Sequence, residues 1–90
     1  MKRYHVCVRG DVQQVGFRWY ARRTAEETGV CGWVSNLADG SVEITAEGKE
    51  ADLEMFLQKL NSGYLGKNIS EISKSDQSYT GEFNSFTIVL

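Results

Sequence analysis

The stretch Gly10-Asp11-Val12-Gln13-Gln14-Val15-Gly16-Phe17-Arg18 decides how the rest of this chain is read. Before it, Tyr4, Val6 and Val8 alternate with His5, Cys7 and Arg9, the period-two signature of a strand with one buried face. After it, Phe17, Tyr20, Ala21, Thr24, Ala25 and Thr28 recur at helical spacing, with Arg18, Arg22, Arg23, Glu26 and Glu27 largely off that stripe. Gly29 then supplies the left-handed residue at which a helix stops. A glycine-bearing loop at a strand-to-helix junction turns backbone N–H groups into one hollow, at the positive end of a helix dipole. Arg18, at the helix entrance, adds a planar fork of donors matched to phosphate or carboxylate. The combination asks for an anion.

Further along, a second strand reads from about Cys31 to Leu37 and a third from Ser41 to Glu47, with Val42, Ile44 and Ala46 on one face. Ala38-Asp39-Gly40 joins them as a tight hairpin, and Gly48 ends the third strand. Leu53, Phe56, Leu57 and Leu60 sit at i, i+3, i+4 and i+7 of a second helix, with Asp52 and Glu54 near its N-terminus and Asn61-Ser62-Gly63 at its close. Tyr64 to Lys67 reads as a flexible link. Ile69 and Ile72, three apart, predict a short or bulged fourth strand. Ser75 to Glu82 reads as a polar loop, and Phe86, Ile88 and Leu90 alternate in a final strand.

The order strand, helix, strand, strand, helix, strand makes two split βαβ units with right-handed crossovers. The expected fold is α+β: a ferredoxin-like plait of four or five mostly antiparallel strands, with both helices on one face. In that plait the third strand lies between the first and second. The loop after the first strand and the strand carrying Asn36 then approach each other.

Ninety residues make a single domain, residues 1–90, with one core and little to spare. A 41% hydrophobic and 24% charged composition argues against disorder. Net charge is −2 with both signs interleaved, so there is no basic field to hold nucleic acid or an anionic membrane. Recognition of an anion must be local. No apolar run reaches the length of a signal peptide or membrane span. Cys7 and Cys31 lack metal or redox spacing; reduced thiols in a cytoplasmic protein are expected, with a bridge between them still open.

No Ser/His/Asp set, Cys/His set or metal-ligand cluster appears, so neither cofactor nor metal is expected. His5 reads as an ordinary strand histidine and Cys7 as a partly buried thiol on the same face. Trp19 reads as a surface aromatic beside the loop, Trp33 as a packing residue. Arg18 has two readings: a surface residue, solvated or paired with Glu26 or Glu27, or an anion ligand. Asn36 also has two. It forms an Asx turn ahead of the hairpin, or it presents its carboxamide to the anion, accepting from water while donating to a phosphate oxygen.

Gly10-x-Val12-Gln13-x-Val15-x-Phe17-Arg18 resembles the first signature of the acylphosphatases. Gly32-Trp33-Val34-Ser35-Asn36, followed by Gly40-Ser41-Val42 and Gly48, resembles the second, and the likeness covers essentially the whole chain. The resemblance implies a ferredoxin-like plait that hydrolyses the carboxyl–phosphate bond of small acyl phosphates without metal or cofactor; separately, a cytoplasmic monomer is expected. By matching position, Arg18 would bind phosphate and Asn36 would position the attacking water. The backbone amides of Gln13, Gln14, Val15, Gly16, Phe17 and Arg18 would form the phosphate cradle.

One residue departs from the pattern: the family usually has glycine where this chain has Gln14. If that position needs positive φ, a side chain there costs about 1–2 kcal/mol and tilts an amide away from the anion. The competing expectation is therefore a catalytically impaired phosphate- or carboxylate-binding, or regulatory, module of the same fold. A third class, single-stranded RNA binding through Phe17-Arg18-Trp19-Tyr20, is disfavoured because those aromatics fall on loop and helix rather than on central strands.

Overall fold

Along the chain, described here for all 90 residues by a computed structural model, come β1 (Lys2–Gly10), α1 (Phe17–Thr28), β2 (Cys31–Asn36), β3 (Val42–Gly48), α2 (Glu50–Ser62), β4 (Ile69–Gln77) and β5 (Phe86–Val89). They form one five-stranded sheet in the order β4-β1-β3-β2-β5. Only β2 and β5 run parallel; the other neighbours are antiparallel. This is the ferredoxin-like α+β plait, with β3 inserted between β1 and β2.

Alternation in β1 sends Tyr4, Val6 and Val8 into the core, opposite Ala46, Ile44 and Val42 of β3. Both helices bury their apolar stripes against that face: Phe17, Tyr20, Ala21 and Ala25 from α1, Leu53, Phe56 and Leu60 from α2. The Tyr20 hydroxyl donates to the Leu60 carbonyl at 2.6 Å, so the ring is buried without stranding its polar end. Gly29 stops α1 in the left-handed conformation, φ 76°.

Two expectations needed correction, and one pair of alternatives was resolved. The link after α2 is not a loose tether. Leu65 and Gly66 are buried, and a short 3-10 helix, Gly66–Asn68, leads into β4. β4 is not short: it runs nine residues, because an edge strand with solvent along one side carries polar residues that hide its period. The expected bulge is there, Arg9 pairing with Glu71 and Gly10 with Ile69, so Ser70 is the extra residue. Ser75 to Gln77, read as loop, continue β4 opposite Arg3 to His5.

The rest of that polar segment is pinned to the uncovered face of the sheet by Glu47. Its buried carboxylate accepts from the Thr80 amide at 2.9 Å, the Thr80 hydroxyl at 3.1 Å and the Gly81 amide at 3.1 Å. Arg3 Nε lies 3.0 Å away as an ion-pair partner, its N–H not aimed for a hydrogen bond. Burial pushes the Glu47 carboxyl up, yet the Thr80 and Gly81 donors and the Arg3 charge outweigh it, so the group sits below the ordinary glutamate range. Cys7 and Cys31 are both free thiols. They lie on β1 and β2, the two neighbours of β3, and two strand spacings of about 4.8 Å exceed the reach of a disulfide.

Candidate active site

The chain leaves β1 through Gly10 at φ 131°, where a Cβ would stand 2.3 Å from the Asn68 carbonyl oxygen. That close approach lets the Asp11 amide donate to Asn68 O at 2.9 Å, and Asn68 Nδ2 return a bond to Asp11 O at 3.0 Å. Val12 and Phe17, each 1% exposed, peg the two ends of the loop into the core. Between them, Gln14 at φ 65° and Gly16 at φ 79° are left-handed, with Val15 of ordinary hand between. A left-handed residue next to one of ordinary hand is the pattern found in anion-binding nests.

Those amides have no backbone acceptor of their own. Among backbone hydrogen bonds outside the helices and sheet, none has a donor from residues 12 to 18, and the first amide used is Tyr20, bonded to Gly16 O at 3.0 Å. α1 carries no side-chain cap and no acidic residue in its first turn. Its positive end is uncompensated within the protein.

Arg18 projects from this end, half-buried, into a groove shared with Trp19, Ser85, Ile88 and Leu90. Of the five arginines it is the one with no carboxylate within 4.0 Å. The glutamates that might have taken it are occupied: Glu26 pairs with Arg22 at 3.4 Å and Glu27 with Arg23 at 3.6 Å. A simple surface ion pair is thus not what Arg18 makes.

Asn36 ends β2, paired in register with Val42. It makes no Asx turn; that part is played by Asp39, whose Oδ1 accepts from the Ser41 amide at 2.9 Å. The Ser41 hydroxyl and amide hold the Asp39 carboxyl below its usual range. Asn36 Oδ1 is buried and receives no donor from the protein. A buried carbonyl oxygen with no partner is costly, by about 1–3 kcal/mol, and rare enough to require a reason.

The resemblance implied a backbone role only for Gln13, and its side chain was missed. Gln13 Nε2 donates to Leu37 O at 2.7 Å and to Ser41 O at 2.9 Å, holding the loop against the β2–β3 hairpin beside Asn36. No periodicity signals such a bond, because its partners are main-chain atoms 24 and 28 positions away. His5 takes no part in the site: it lies on the uncovered sheet face with Nε2 at 2.8 Å from Glu43 Oε2.

Comparison with known proteins gives the family. The family model described as acylphosphatase matches residues 4–88. An acylphosphatase of Methylococcus capsulatus is 39% identical over 89 residues, 99% of this chain and 97% of that protein. One from Leuconostoc mesenteroides is 54% identical over 63 residues, 70% of either chain. The crystal structure of acylphosphatase from Bacillus subtilis superposes with a TM-score of 0.92 at 36% identity, covering 100% of both chains. No helix here is long and apolar enough to cross a membrane. The loop, the unpaired arginine and the plait that carries them belong to a member of the acylphosphatase family.

Proposed function

We propose that this chain hydrolyses small acyl phosphates by direct attack of water on phosphorus. Arg18 and the amides of Gln13, Gln14, Val15, Gly16, Phe17 and Arg18 hold the phosphate, and Asn36 holds the water. The single observation that carries this is the unpaired Arg18 guanidinium beside a helix start whose amides have no backbone acceptors. Donors of fixed direction in a partly buried site stabilise charge on transferring phosphoryl oxygens without reorganising.

The chemistry asks for little else. The bond that breaks joins phosphorus to a carboxyl oxygen, and the leaving carboxylate has a pKa near ~4 by analogy with Asp and Glu. It departs without a general acid, which fits a site whose side chains are an arginine and an amide. The bond that forms joins phosphorus to the water oxygen. Asn36 Oδ1 accepts one water O–H and aims the lone pair, its N–H₂ donates to a phosphate oxygen, and the bound phosphate takes the displaced proton.

The test is turnover of acetyl phosphate by the purified protein, with and without excess chelator. Phosphate release that is saturable and unchanged by chelator is expected; none would remove the reading. Gln14 at φ 65° favours one second reading, a module that binds phosphate without turning substrate over. Measuring phosphate affinity in the same preparation separates the two.

A further inference from the structure

Gln13 connects the two halves of the proposed site. Its main chain enters the phosphate loop, while its side chain reaches the hairpin behind Asn36. That hairpin closes itself with two bonds, Leu37 N to Ser41 O at 2.9 Å and Gly40 N to Leu37 O at 3.2 Å. Each of the two carbonyls therefore has one lone pair used and one free. Gln13 Nε2 fills both free ones, with both of its hydrogens, at 2.7 and 2.9 Å. Leu37 follows Asn36 directly, and Ser41 precedes Val42, the register partner of Asn36. The clamp thus brackets the one residue pair that ends the β2–β3 ladder.

We infer that Gln13 is a positioning residue: its carboxamide sets the distance between the bound phosphate and the water held by Asn36. This rests on the hydrolase reading above. Phosphate is gripped by groups on the loop and α1, whereas the nucleophile is gripped by the end of β2. An error of about 1 Å between them would cost as much as 10²-fold in rate. Hydrogen bonds local to the hairpin cannot correct such an error, because they move with it. Among the side-chain hydrogen bonds, only those of Gln13 tie the phosphate loop to this hairpin.

The experiment pairs Gln13→Met, equal in length and without donors, with Asn36→Ala, singly and together. In the Gln13→Met protein kcat should fall about 10- to 100-fold, while the Ki of inorganic phosphate moves less than about threefold. In the Asn36→Ala background the same substitution should cost less than about threefold, because the group it positions is gone. Equal losses in both backgrounds, or loss of phosphate affinity matching the loss of kcat, would overturn the inference and leave Gln13 as a plain structural tie. The carboxamide ¹⁵N–¹H resonances of Asn36 supply a readout independent of turnover. They must shift in Gln13→Met, and unmoved resonances also overturn it. An unmodified protein that turns nothing over, with those resonances shifting as expected, would instead refute the hydrolase reading and spare the clamp.

Discussion

Gln14 offers the sharpest test of how this loop is built. It is the one residue other than glycine with positive φ, at 65°, and its side chain is exposed. A Cβ in that conformation crowds its own carbonyl by about 1–2 kcal/mol. Gln14→Gly removes the crowding but adds freedom to the unfolded chain, worth about 0.4–1 kcal/mol in the opposite sense. The difference leaves roughly 0.5–1 kcal/mol in favour of the variant, or a rise of about 2–8 °C in Tm for a domain of this size. Gln14→Val should go the other way, since a β-branched residue tolerates left-handed φ least. Thermal unfolding followed by circular dichroism measures both. Turnover is the second half of the prediction. Gln14 already has the φ that glycine would supply, so on the hydrolase reading kcat should change less than about threefold. A Tm that falls in Gln14→Gly would show that the strain argument is wrong. A rate that climbs more than about tenfold would show that glutamine had been holding the cradle open, and that the impaired-module reading was right.

Other outcomes follow from the same geometry. Arg18→Ala should lower kcat/KM by at least about 10²–10³ with little loss of stability, since the guanidinium has no partner carboxylate to strand. Arg18→Lys should recover only part of it, because a point charge cannot bind two phosphate oxygens as a fork. Asn36→Ala should lower kcat by about 10²–10³ while phosphate inhibition stays within about threefold, and equal losses in both would move Asn36 from nucleophile to phosphate binding. Glu47 makes a prediction about acid. Its folded pKa lies below the unfolded value, so its contribution is complete above about pH 4.3 and is lost as pH falls through the folded pKa. Urea unfolding of Glu47→Gln should therefore show a shallower decline below about pH 4 than the unmodified protein, and parallel declines would remove Glu47 from the acid response.

β1, α1 and α2 were legible because each buries one face, so Tyr4-Val6-Val8 and Leu53-Phe56-Leu60 write their period into the sequence. β4 was not, because an edge strand of serines and charged residues has no buried face to set a period. The buried turn at Leu65-Gly66 was missed for a related reason: what Gly66 answers to is the Asn61 carbonyl oxygen, 2.0 Å from where a Cβ would stand, and not a neighbour in sequence. At the site, the residues drew attention by type, Arg18 by its fork and Asn36 by its amide. Their ordinary partners were assigned only in three dimensions, where Glu26 and Glu27 pair with Arg22 and Arg23, and Asp39 makes the Asx turn.

The two helices of this chain also obey opposite rules, and the contrast bears on function. α2 places Glu50 and Asp52 in its first turn and Lys59 in its last, as the helix dipole favours. α1 has no acidic residue in its first turn and puts Arg18 where a cation is disfavoured, while neither helix has a side-chain cap. Gln14, in the loop before that start, is left-handed, and Asn36, at the end of β2, has a buried, unbonded oxygen. Each costs stability by itself, and none is offset by a neighbour within the protein. Three locally unfavourable choices at the proposed site residues have a common explanation if a ligand completes them. An anion would neutralise Arg18 and the dipole together, and its attacking water would satisfy Asn36. Inorganic phosphate should then raise Tm in proportion to log concentration above its Kd, with the rise abolished in Arg18→Ala. A Tm indifferent to phosphate would leave all three costs without a cause.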